Sequence, residues 1–167
     1  MRIEEKDGAF IIVDFNDLEA YKIARKIEKD GMDFYQDLMN LTDNEKTREA
    51  LRLLIQEEEK HLKYFEDTLF DLRKNEWFEK EDDLLEEMDY GIFPSPSHEE
   101  EAMRFLDAPE KALGMGIVLE NRAIQFYEAC QQRVTDEKAK RQITKIIQTE
   151  QEHKNILRDI LKEMKHK

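Results

Sequence analysis

Apolar residues return every three or four positions in four stretches, near residues 17–40, 44–74, 109–134 and 137–164, which is the spacing of amphipathic helices. Turn-forming clusters separate the first stretch from the second, Thr42-Asp43-Asn44, and the third from the fourth, Thr135-Asp136. Each pair is therefore predicted to fold back on itself as an αα-hairpin. Residues 75–108 join the two hairpins. They contain the turn-like Pro94-Ser95-Pro96-Ser97, with Ser97 and Glu100 spaced as a capping box for one short helix, and Pro109 suits the first turn of the third long helix. Helices of about 28 residues are roughly 42 Å long, and a connection of this size can run that whole height. The expected fold is all-α: a four-helix bundle made of two hairpins and a long crossover, in a single domain over residues 1–167.

The two hairpins are versions of one another. An ungapped repeat at an offset of 92 superposes residues 20–74 on 112–166. Ala20 matches Ala112, Glu28 matches Glu120, and Phe34-Tyr35 matches Phe126-Tyr127. In the second helices Ile55-Gln56 matches Ile147-Gln148, Glu58 matches Glu150, and His61 matches His153. A pseudo-twofold axis follows.

Six of the repeated positions break the helical pattern. The first stripe reads Ala24, Ile27, Gly31, Tyr35, Leu38, and Glu28 falls inside it. Glu58 and His61 interrupt Leu51, Leu54, Ile55, Phe65, Leu69 and Leu72 in the same way. Glu120 lies among Leu113, Ile117, Ile124 and Tyr127, and Glu150 with His153 among Ile143, Ile146, Leu157 and Ile160. Glu28 and Glu58 are equidistant from the first turn, as Glu120 and Glu150 are from the second, so folding brings all four to one level. Each Glu-x-x-His pair shares a helix face. Taken singly, each residue reads as a rotated surface glutamate or a satisfied core histidine. Taken together they do not, because burying such a set without counter-charge costs several kcal/mol per ion. Four carboxylates are balanced by two divalent cations, and mixed carboxylate and imidazole donors suit iron or manganese; zinc is the redox-silent alternative.

Composition narrows the partners. A net charge of −13 disfavours nucleic acid and anionic membranes and favours a cation as guest. The early apolar run Ala9–Val13 is too short to span a membrane, which suggests a cytoplasmic protein. With a single cysteine, Cys130, neither an internal disulfide nor a four-cysteine metal site is available.

Glu28, Glu58-x-x-His61, Glu120 and Glu150-x-x-His153 resemble the di-iron carboxylate site of rubrerythrins, bacterioferritins and their relatives, whose fold is the ferritin-like bundle. The Phe-Tyr pair after each first-helix glutamate is most similar to the rubrerythrin branch. The resemblance implies that these six residues hold two iron ions and carry the catalysis. It implies reduction of hydrogen peroxide or dioxygen with electrons from an external donor such as a rubredoxin-like protein, in a homodimer. Two departures qualify it. Ala123 stands where typical rubrerythrins carry a further glutamate, and their four-cysteine rubredoxin domain has no counterpart among these residues. The alternatives are a ferroxidase that stores iron, as bacterioferritin does, and a non-enzymatic metal-binding bundle.

Tyr35 and Tyr127, two turns beyond Glu28 and Glu120, read either as hydrogen-bond donors to ligand carboxylates or as core tyrosines. Gly31 and Ala123 leave room for a small oxidant, or for close helix packing. His98-Glu99-Glu100-Glu101, His166, and Trp77 with Phe78 read as a capped helix start, a solvated tail and an apolar anchor, and Cys130 as a core residue.

Overall fold

The computed structural model describes residues 1–7, 9–73 and 109–165. Among these residues the elements are a hairpin, β1 (Arg2–Lys6) and β2 (Ala9–Val13), and four helices, α1 (Asp17–Asn40), α2 (Glu45–Arg73), α3 (Pro109–Gln131) and α4 (Glu137–Lys165). The expected all-α bundle of two hairpins is present. The expectations for residues 75–108, including the Ser97–Glu100 capping box, His98 and its acidic neighbours, Trp77 and Phe78, lie outside the described residues, as does His166.

Side chains at the turns set the helix boundaries. Asn16 Oδ1 accepts from the Glu19 amide at 2.9 Å, Asn44 Oδ1 from Thr47 at 3.1 Å, and Asp136 Oδ1 from Ala139 at 2.7 Å. Each satisfies an amide that the first helical turn leaves unpaired. α3 stops at Gln131, three residues short of the predicted end, because the Arg133 and Val134 amides both turn back to the Cys130 carbonyl at 2.9 Å.

Helix α1 packs on α2 and α3, and α4 on α3 and α2, so the order around the bundle is α1-α2-α4-α3. Two core clusters occupy the two ends. One gathers Ala20 and Tyr21 from the start of α1, Phe65 and Leu69 from late α2, Tyr127 and Cys130 from late α3, and Ile143 and Ile146 from early α4. The other gathers Tyr35 and Leu38, Leu51 and Leu54, Ala112 and Leu113, and Leu157 and Ile160 from the opposite ends of the same helices. α2 therefore ends and α3 begins at opposite ends of the bundle, as a long crossover requires.

The N-terminal hairpin was not expected from the helical periodicity. β1 and β2 pair antiparallel from Arg2 with Val13 to Lys6 with Ala9, and Asp7 takes a positive φ of 55° in the turn. Asp7-Gly8 is the two-residue turn signature that would have signalled it. Phe10 and Ile12 join the core beside α3, and the Arg122 guanidinium lies 5.1 Å from the Phe10 ring centre.

Candidate metal centre

The six repeated ionisable residues meet between the two apolar clusters. All are buried, from 1% exposure for Glu28 and His153 to 8% for His61. They form two quartets whose donor atoms lie within 4.8 Å of one another: Glu28, Glu58, His61 and Glu150, and Glu58, Glu120, Glu150 and His153. Glu58 and Glu150 belong to both. The pseudo-twofold of the sequence thus becomes a site with a shared central pair and two outer pairs, Glu28 with His61 and Glu120 with His153.

Both imidazoles turn Nδ1 toward the carboxylates. His61 Nδ1 is 3.0 Å from Glu150 Oε1, 3.2 Å from Glu28 Oε2 and 3.5 Å from Glu58 Oε2. His153 Nδ1 is 3.1 Å from Glu150 Oε2, 3.2 Å from Glu58 Oε1 and 3.7 Å from Glu120 Oε1. These are close approaches, yet Glu150 Oε1 and both ring nitrogens of His153 make no hydrogen bond. Orphaned buried polar atoms each cost about 1–3 kcal/mol. His61 Nδ1 does hydrogen-bond with Glu28 Oε2 at 3.2 Å, but the buried atoms left orphaned around the shared space are what a cation would satisfy, and two divalent ions would cancel four carboxylate charges. The residues fit a di-metal site.

Without metal the charges are accommodated by protons. Burial raises Glu28 well above the usual carboxylate range, helped by the negative Glu150 and Glu58, and burial with Glu150 raises Glu120 to about 8. Burial alone would raise Glu58 too, but the imidazoles of His153 and His61 outweigh it and hold it far below its ordinary value. Burial would lower both histidines. The carboxylates reverse this, taking His61 to about 12 and His153 likewise upward.

Two tyrosines hold the outer glutamates in a crossed arrangement. The Tyr35 hydroxyl on α1 donates to Glu120 Oε1 on α3, and the Tyr127 hydroxyl on α3 donates to Glu28 Oε1 on α1. Each tyrosine thus donates to a carboxylate of the cluster, as one of the two sequence readings has it. Seven residues are about 10.5 Å along a helix, so the glutamate of its own helix is distant, and the antiparallel packing of α1 on α3 brings the other hairpin's glutamate within reach. Burial and the nearby Glu28 charge raise the Tyr127 pKa well above its usual value, so it remains a donor.

On the α1–α3 side lies a small cavity lined by Glu28, Gly31, Phe34, Glu58, Glu120 and Ala123, among others, with neither histidine in its wall. A Cβ added at Gly31 would lie 3.6 Å from Glu58 Oε1. Gly31 and Ala123, the small residues singled out in the sequence, thus both border the carboxylates.

The rubrerythrin family model matches residues 19–161, which takes in all six residues and both tyrosines. This chain belongs to the rubrerythrin family. Comparison with curated proteins and with solved structures gave no match. In this rubrerythrin-family chain the family match and the buried carboxylate–histidine cluster agree on a di-metal site. Among the described residues no helix is long and apolar enough to cross a membrane.

Proposed function

We propose that this protein is a di-iron oxidoreductase that reduces hydrogen peroxide or dioxygen with electrons from an external, rubredoxin-like donor. The observation that carries the reading is the pair of buried quartets sharing Glu58 and Glu150. Glu28 with His61 and Glu120 with His153 would hold the two ions individually, and Glu58 with Glu150 would hold both. Bound ferrous iron supplies one electron per ion to the oxidant.

The chain's own groups do the rest. The Tyr35 and Tyr127 hydroxyls fix the orientation of the outer carboxylates. The apolar clusters above and below keep water from the site. The cavity at Gly31 and Ala123 gives a small oxidant contact with the carboxylate side, while the histidines close the α2–α4 side. With alanine at 123 the ligand set stays at six, without the additional glutamate of typical rubrerythrins. On this reading residues 1–167 form one domain of a cytoplasmic homodimer, and exposed Leu53, Phe70 and Val118 offer apolar surface for self-association.

Anaerobic rapid mixing of the diferrous protein with peroxide, and separately with dioxygen, tests the reading. Faster oxidation by peroxide is expected. Faster oxidation by dioxygen, with a shell-sized native mass and many irons per chain, would instead establish an iron-storage protein.

A further inference from the structure

The two hairpins are alike at the metal cluster and differ beside it. Around Tyr35 the cluster holds Leu38, Leu113, Leu157 and Ile156, besides the neighbouring Phe34. The repeat places Cys130, Tyr21, Phe65 and Tyr64 at the four corresponding positions around Tyr127. All four substitutions fall on the same side of the metal cluster.

Those residues make a continuous path. The Tyr127 hydroxyl bonds Glu28, and its ring lies nearly parallel to Phe65, with 5.9 Å between centres and 12° between planes. Phe65 in turn meets Tyr64 edge-on at 5.2 Å and Tyr21 at 6.1 Å. Tyr21 and Tyr64 thus both border the Phe65 ring, and Tyr64 is half-buried, so the path ends at the surface. Tyr35 contacts only Phe34 among the described aromatic rings. At the equivalent positions the other half of the bundle packs leucine and isoleucine. The difference the aromatic side introduces is that phenols can be oxidised and aliphatic side chains cannot.

We propose that Tyr127, Phe65 and the Tyr21–Tyr64 pair form a one-sided electron relay from the metal cluster to the surface, supplying the second electron when hydrogen peroxide meets a cluster holding a single ferrous ion. The inference rests on the proposed di-iron function. Peroxide takes one electron from the ferrous ion and one from the tyrosine pair, whose phenol also gives up its proton. The products are a ferric ion, one hydroxide, one water and a tyrosyl radical near the surface. An external one-electron donor can then restore the phenol, and oxidising equivalents are led away from the buried ligands.

The test loads the full chain anaerobically with one ferrous ion, adds one equivalent of hydrogen peroxide, freezes the sample and records the electron paramagnetic resonance spectrum. A tyrosyl signal is expected in the parent. In the double variant Tyr21→Phe/Tyr64→Phe, which keeps both rings, its yield should fall several-fold and the remainder should carry the spectrum of Tyr127. Phe65→Leu, which copies Leu157, should give the same shift without touching a phenol. Iron uptake followed by peroxide oxidation, with the signal unchanged in both variants, overturns the relay alone. A chain that takes up no iron, or whose ferrous iron does not react with peroxide, overturns the proposed function and the relay with it.

Discussion

At pH 7 the metal-free cluster holds protons that a metal-bound cluster cannot keep. Glu28 is raised well above the usual carboxylate range, Glu120 to about 8, His61 to about 12, and His153 likewise upward, so each carries a proton in the folded, empty protein. Metal requires neutral imidazoles and ionised carboxylates, so loading two divalent ions should release several protons per chain at pH 7 and fewer at pH 9, where Glu120 has already ionised. Titration calorimetry with ferrous iron, anaerobically and in two buffers of different ionisation enthalpy, counts them directly. The same groups fix the sign of the pH dependence. Glu120 and His61 have folded values above their unfolded ones, so the folded state binds more protons and the metal-free protein loses stability as pH rises. The loss from Glu120 falls between about 4.5 and 8, and that from His61 between about 6.5 and 12. Each retained proton is worth about 1.4 kcal/mol per pH unit, so even two give roughly 3 kcal/mol per unit, a large part of a typical folding free energy. Urea melts of the metal-free protein between pH 6 and 8, roughly the range where both groups act, should show this fall, and the metal-loaded protein should not. Release of at most one proton on loading, or a metal-free stability that rises over that range, would refute the assignment of these protons.

Charge-neutral substitutions should divide along the same line. Glu28→Gln with Glu120→Gln replaces carboxyls already protonated in the empty site, so the metal-free unfolding free energy should change by no more than about 1 kcal/mol while metal affinity collapses. Glu58→Gln removes one of the two carboxylates that face both imidazoles, 3.2 and 3.5 Å away, and should cost roughly 3 kcal/mol in the metal-free protein; equal effects of the two variants would contradict the charge assignment. Tyr35→Phe and Tyr127→Phe should each lower metal affinity roughly 10–100-fold with the fold retained, measured by competition with a chelator. Phe10→Ala should destabilise the protein by roughly 3 kcal/mol and leave metal stoichiometry unchanged, because the hairpin packs on α3 away from the cluster.

Helices and ligand candidates were legible because both rest on local periodicity. A charge inside an apolar stripe is visible without knowing what it faces, and the doubled Glu-x-x-His repeat made six such charges one observation. The β1–β2 hairpin was missed because Phe10 and Ile12 were weighed only as an apolar run, while its decisive signal, Asp7-Gly8, is a turn. The crossed bonds of Tyr35 to Glu120 and Tyr127 to Glu28 depend on the relative direction of α1 and α3, which no local pattern carries. The end of α3 was overextended because Val134 continues the apolar spacing, although its amide already belongs to a turn. The opposite proton states of Glu28 and Glu58 were equally hidden. Both are buried glutamates; two imidazoles face Glu58 and one faces Glu28, and the neighbouring carboxylates raise Glu28 further.

The central claim is that Glu28, Glu58, His61, Glu120, Glu150 and His153 hold two metal ions. Metal content of the protein, reconstituted anaerobically with ferrous iron and freed of excess by gel filtration, measures it most directly. About two irons per chain are expected, falling to a trace when Glu58→Gln and Glu150→Gln remove the shared pair. A parent protein that emerges folded and with no more than a trace of metal would contradict the account.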